Sequence, residues 1–223
     1  MGEAILLSIQ VGRTAPLGPA AIPSAFIKHG IAGPVAVGTL GVAGDEQADP
    51  TFHGGRDKAV YGYGAAHYDA WASEYPRHAD RFVAGGVGEN LTIDYMVEAD
   101  LCVGDLHRIG STILQVCQPR QPCLKFALRF GDKSLPKAMV RNGRSGWYYR
   151  IIDPGTIEPG QRVERIARPH PEFSFVRLVE IINFRNPTRA ELEAMAVMDG
   201  LAEGISDDAR AALEARQEGR TLR

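Results

Sequence analysis

Glycine and proline recur every few residues through the first two-thirds of this chain, and that punctuation keeps every regular element there short. Among 223 residues there are 25 glycines and 14 prolines. Proline fixes φ and removes a backbone donor, while glycine admits turn conformations that end strands and helices. Between the breaks lie short β-rich runs at Ile5–Val11, Val35–Val42, Lys58–Tyr63, Leu91–Ile93, Leu106–Ile109, Thr112–Cys117, Trp147–Ile152 and Arg162–Ile166. Short strands with Gly/Pro turns predict an all-β sandwich or barrel rather than βαβ units. Helices are expected there only at His67–Tyr75, ahead of Pro76, and around Leu124–Phe130.

The character changes after Arg168-Pro169-His170-Pro171, whose prolines make a stiff, extended connection. Phe175, Val179 and Ile182 then recur at helical spacing. Thr188 and Glu191 fit a capping box, and Leu192, Met195 and Met198 continue the apolar stripe. Ser206 reads as the N-cap of a last helix over Ala209–Arg216, with Asp207 and Asp208 in its first turn. The expectation is a mainly β domain over residues 1–168 and a three-helix domain over 172–218.

A chain with 44% hydrophobic and 23% charged residues is globular in composition. Its net charge of -2 offers no general attraction for nucleic acid or anionic membrane, so neither is an expected partner. No run approaches the ~20 apolar residues of a membrane span. The start lacks a basic leader, and the three cysteines are an odd number, which together argue against a disulfide framework. A cytoplasmic protein is the reading.

Three segments carry chemistry. In Cys117-Gln118-Pro119-Arg120-Gln121-Pro122-Cys123-Leu124-Lys125, Cys123 leaves a proline-stiffened turn between two cations. Nearby positive charge favours a thiolate, which is both nucleophile and soft metal ligand. A small buried hydrophobe is the other reading of Cys123 on local sequence alone. Cys117 ends an apolar alternation and reads as core, and Cys102 is given no role. Without a CxxC pair, structural zinc is not expected. In the second segment, His53-Gly54-Gly55-Arg56-Asp57-Lys58, paired glycines let a ligand approach the backbone, and Arg56 and Lys58 can address phosphate. A solvated hairpin turn explains the same residues. In the third, Gly85-Gly86-Val87-Gly88-Glu89-Asn90, the glycines precede a strand rather than a helix, which excludes a dinucleotide loop. Glu89 and Asn90 are able to bond a heterocycle or their own loop. Pro16–Pro34 shows little distinctive chemistry, and Arg141–Gly146 reads as an exposed cationic hairpin.

In this order, Phe52-His53-Gly54-Gly55 with Asp57-Lys58-Ala59-Val60, then Gly88-Glu89-Asn90-Leu91-Thr92, then Gln118–Lys125 resemble the MOSC (molybdenum cofactor sulfurase C-terminal) domain family. The short chain and helical tail resemble its stand-alone YiiM-type subfamily, the 6-hydroxylaminopurine resistance proteins. The resemblance implies a MOSC β-barrel followed by a small three-helix domain. It also implies a molybdenum centre held by the dithiolene of molybdopterin, with Cys123 as the protein ligand and no pyridoxal phosphate. Arg120, Lys125, Arg56 and Lys58 are then candidates for the cofactor phosphate. His53, Gly54, Gly55, Glu89 and Asn90 are candidates for contacting the pterin. The activity implied is reduction of N-hydroxylated compounds (hydroxylaminopurines, amidoximes, hydroxylamines), a detoxification of N-hydroxylated bases. No flavin, haem or iron–sulfur motif is visible, so electrons are expected from a separate reductase. Two alternatives stay open: a cofactor or sulfur carrier acting through a Cys123 persulfide, and a metal-free cysteine hydrolase or transferase with His29, His53, His67 or His107 available as base.

Overall fold

The first strand shows how these runs become structure. Alternation along Ile5–Val11 buries Leu6, but the register against its partner shifts between Leu6 and Ser8, so that Ile9 is buried next rather than Ser8. One extra residue at a bulge re-aims every side chain beyond it.

The computed structural model describes residues 3–49 and 54–218. In chain order the elements are β1 (Ile5–Val11), β2 (Ala15–Leu17), β3 (Ile22–Ser24), β4 (His29–Ile31), β5 (Val35–Gly38), β6 (Gly41–Val42), β7 (Val60–Gly64), α1 (His67–Glu74) and β8 (Leu91–Asp94). There follow β9 (Leu106–Ile109), β10 (Thr112–Pro119), α2 (Leu124–Phe130), α3 (Leu135–Asn142), β11 (Trp147–Asp153), β12 (Gly155–Ile157), β13 (Glu164–Ala167), α4 (Phe175–Phe184), α5 (Arg189–Met195) and α6 (Glu203–Gln217). Eight strands form one sheet in the order β13-β9-β10-β11-β7-β8-β1-β4, beside a three-stranded sheet β12-β5-β6 and the ribbon β2-β3. Every pairing is antiparallel except β7 with β8.

The expected barrel is corrected to an open, mixed sheet with helices. The large sheet curls until Leu6 donates to the Gln161 carbonyl at 2.9 Å and Val163 to that of Ala4 at 2.8 Å. Only one bridge, Ile5↔Arg162, marks that contact, and β13 and β4 remain edges. The Pro159-Gly160 turn lies just before the bridge and leaves no continuous strand to complete it. The fold is also not mainly β: helix takes about 32% of the chain against 28% for strand. One reason is α3, where Pro136 sits in the first turn, so its missing N–H breaks no helical bond and it starts the helix rather than stopping one. Part of the expected Arg141–Gly146 hairpin is therefore helix, and Arg144 pairs with Glu74 at 2.8 Å and lies over the Trp71 ring.

The last strand ends at Ala167 and the C-terminal helices begin at Phe175. One apolar cluster joins the two regions, with Leu6, Leu91 and Leu114 of the sheet packed in common with Phe175, Leu178 and Met195 of the helices. The capping box forms as read: Glu191 N–H donates to the Thr188 hydroxyl and Thr188 N–H to the Glu191 carboxylate. The last helix differs. It begins at Glu203 with Ala202 in the cap position, and Ser206 is buried inside it. Its first amide is satisfied by the Asp57 carboxylate at 2.9 Å, a cap delivered from far along the chain that makes a local serine unnecessary. A second, aromatic cluster of Phe26, Tyr61, Tyr63, Trp71, Phe126 and Phe130 lies under α1 and α2. No helix among the described residues is long and apolar enough to cross a membrane.

Candidate functional site

Cys123 stands where β10 runs out. After Gln118 and Pro119 pair with Tyr148 and Trp147, the chain turns through Pro122 and reaches Cys123, the N-cap residue of α2. Phe126 and Phe130 anchor that helix in the aromatic cluster, while Leu124 is 60% exposed, so the helix presents its start to solvent. Cys123 is thus held half-buried. It borders a broad cleft of about 1410 Å³ and a small pocket of about 100 Å³. Lys58, Gln121 and Tyr148 also line both.

One wall of the cleft is the loop Gly54–Lys58, which ends in a single 3₁₀ turn. A Cβ at Gly55 would meet nothing within 4 Å, and its φ of +92° suits glycine, so bare backbone faces the opening. The opposite wall is the start of α6, with Ala202, Glu203, Gly204 and Ile205. Asp57 ties the two together: its carboxylate accepts from Arg150 Nε at 2.6 Å and from the Glu203 N–H. Its carbonyl accepts from Gln118 Nε2 at 2.8 Å and from Cys117 Sγ at 3.1 Å.

The small pocket is basic. Arg120, only 7% exposed, donates to the Val87 carbonyl and packs its guanidinium against Phe26 and Tyr61, each ring centroid 4.9 Å away. Lys28 is clamped by both oxygens of Asp45 at 2.5 and 2.7 Å; burial pushes its amine pKa down, against the pull of Asp45. Lys125 and Lys58 complete the cationic lining.

The glycine–cation loop and the cysteine loop thus share the cleft, Gly88 and Asn90 join Cys123 in the small pocket, and residues 49–164 match the MOSC domain model. The chain belongs to the MOSC domain family. Among curated relatives, Protein YiiM of Escherichia coli is 39% identical over 150 residues, 67% of each chain. A protein of Gibberella moniliformis named "Reductase" is 36% identical over 185 residues, 82% of this chain but 33% of that protein. This chain therefore spans a third of the fungal relative and about two-thirds of the bacterial one. The crystal structure of YiiM from Geobacillus stearothermophilus superposes with a TM-score of 0.79 at 30% identity, covering 94% of this chain and 99% of that one. That of Escherichia coli YiiM gives 0.75 at 26% identity, covering 95% and 96%. The helical tail therefore lies within the likeness.

The MOSC cleft takes Gly54, Gly55, Arg56, Lys58 and Cys123 of the residues read from sequence, and the small pocket takes Arg120, Lys125 and Asn90. His53 lies outside the described residues. Glu89 lines neither space. It is fully buried and closes its own loop, accepting from the Gly85 N–H at 2.6 Å, the Val87 N–H at 3.1 Å and the Tyr68 hydroxyl. Burial pushes its carboxyl pKa up, and those bonds oppose the shift. Asn90 is likewise engaged by protein, with Tyr61 N–H donating to its Oδ1 and its Nδ2 donating to Gln10 and Asp45. Cys117 is fully buried, which raises its thiol pKa; Cys102 is buried too. Among the described residues no histidine lines either space: His107 bonds Tyr149 and His67 pairs with Glu98. Lys28, Asp45, Tyr148, Arg150 and the start of α6 were not legible as site residues. Their only signal is three-dimensional, since each sits in a segment without a motif.

Proposed function

We propose that this MOSC protein holds a molybdenum cofactor in the Cys123 cleft and reduces N-hydroxylated compounds with electrons from a separate reductase. The observation that carries the reading is the place of Cys123, the one cysteine of three that is not buried, at the junction of a large cleft and a small basic pocket. The donor set fits. No cluster of three or more His, Cys, Asp or Glu able to hold a metal occurs among the described residues. A centre that brings its own dithiolene sulfurs needs only one soft protein ligand, and Cys123 Sγ supplies it.

When bound, the cofactor supplies the two-electron chemistry. The chain's part is to bind and orient. The Gly54-Gly55 backbone admits a flat ligand closely, and Arg56 and Lys58 add charge beside it. Arg120 and Lys125 in the small pocket suit the cofactor phosphate, because a buried phosphate needs charge-assisted donors and a guanidinium offers a planar fork. Substrate occupies the remainder of the cleft against α6. In the overall reaction the N–O bond breaks, two electrons and two protons are taken up, and water leaves with the amine, or with the amidine when the substrate is an amidoxime. The fungal relative's name is in keeping with this reading.

The test is protein purified from a cofactor-competent host, assayed for molybdenum and pterin per chain and for reduction of an aryl amidoxime or 6-hydroxylaminopurine with reduced viologen as donor. Near-stoichiometric cofactor and turnover are expected, both lost in Cys123→Ser and kept in Cys117→Ser. Cofactor-free, inactive protein refutes the proposal. Bound cofactor without turnover, with persulfide sulfur on Cys123, makes the protein a carrier instead.

A further inference from the structure

The two walls of the cleft are held differently: α6 buries Ser206, Ala209 and Ala215, whereas the loop wall has little packing of its own. The turn Arg56–Lys58 buries none of its three side chains and has no side-chain cap. Helix α6 likewise starts without a local cap, at Ala202. An exposed turn opens locally at little cost unless polar contacts tie it down. Bonds to backbone carbonyls tie each wall to β10, with Ala202 N–H donating to the Cys117 carbonyl and Gln118 Nε2 to that of Asp57, and one side chain joins the two walls to each other. Asp57 Oδ1 accepts from Arg150 Nε, Asp57 Oδ2 accepts from the first amide of α6, and Arg150 reaches on to the Leu201 carbonyl at 3.2 Å.

We propose that Asp57 is the positioning residue of the cleft: its carboxylate fixes the distance between the glycine–cation loop and α6, and so makes the C-terminal helix a working wall of the site. Both oxygens face protein donors, so Asp57 acts on the shape of the opening and not on a bound molecule. The consequence for catalysis rests on the cofactor reading above; the clasp itself does not.

Two variants of the full chain probe it. Asp57→Asn keeps the shape and removes the charge. Glu203→Pro removes the amide that donates to Asp57 and, with it, the Glu203 carboxylate. Proline is favoured at the first position of a helix, and Ala202 before it already has φ -62° and ψ 135°, as a residue preceding proline requires. Amide hydrogen exchange is read at Lys58, Ile205 and Ser206, which are bonded in the two walls, and at Leu114 and Val116 in β10. Losing a charge-assisted bond is expected to speed exchange at the wall amides by about tenfold to a hundredfold. Exchange in β10 stays at the parent rate. In protein that carries cofactor, pterin retention falls and KM for the amidoxime rises by a larger factor than kcat falls, whereas simple unfolding lowers kcat alone.

Parent-like exchange at the walls in both variants overturns the proposal, as does an equal rise in β10, which marks global loosening. Loosened walls with unchanged pterin retention and KM in an active protein overturn it too. If the parent carries no cofactor and turns nothing over, the proposed function fails, while the exchange data still decide the clasp.

Discussion

His107 gives this protein an acid limit that is calculable from its surroundings. Its ring lies on β9, 1% exposed, with Nδ1 bonded to the Tyr149 hydroxyl at 2.7 Å. Burial pushes its pKa down from 6.5 to about 4, with Asp105 pulling it up and Arg165 and Arg168 pushing it further down. The imidazole stays neutral in the folded chain while the unfolded chain takes up a proton below pH 6.5. Stability attributable to this group is therefore intact above pH 6.5, declines as the pH falls, and is fully lost below pH 4. A separation of about 2.5 units corresponds to about 3 kcal/mol in all, of which about 2 kcal/mol is lost between pH 7.5 and pH 5. Against a total of about 5–15 kcal/mol, that is a large fraction. Urea unfolding at both pH values, for the parent and His107→Phe, measures it. The variant leaves the Tyr149 hydroxyl unpaired, a penalty that is the same at both pH values and cancels in the comparison. The parent should lose about 2 kcal/mol more than the variant on going to pH 5. Parallel pH profiles, or an imidazole titration near 6.5 in the folded protein, would refute the reasoning.

Native protein treated with iodoacetamide should take up one label per chain, on Cys123, with Cys102 and Cys117 reacting only in denaturant; early labelling of either buried thiol contradicts their packing. Arg120→Ala should reduce pterin retention by about tenfold to a hundredfold and Lys125→Ala by less. If both variants and the double retain pterin like the parent, the small pocket does not hold the phosphate. Thr188→Ala should cost about 1 kcal/mol, a fall in Tm of about 2–4 °C by calorimetry, and an unchanged Tm shows the capping box to be idle.

What was legible in the sequence was local. Leu106–Ile109 and Leu124–Phe130 form over the residues their patterns mark, and Thr188 caps as its spacing to Glu191 requires. Each depends on neighbours within a few positions. What was missed depends on partners far along the chain. Pro16 and Pro23 argue against strands, yet they face each other in the ribbon β2-β3, whose outer edges need no further donors. The stretch around them looked empty of chemistry, and it delivers Phe26 and Lys28 to the small pocket because the ribbon folds it back toward Arg120. Glu89 shows the converse error. A buried carboxylate beside a glycine run looks like a binding group, but the glycines supply N–H donors that satisfy it inside the loop. Asp57 joins both lessons. It stands between the cations Arg56 and Lys58 in the glycine motif, and its function is set by an amide 146 positions away that no local pattern reveals. A tertiary cap of this kind also explains why Ser206, a sound N-cap by its side chain, is buried inside the helix it was expected to begin: once Asp57 satisfies the amide of Glu203, the helix gains by starting four residues earlier and reaching the cleft.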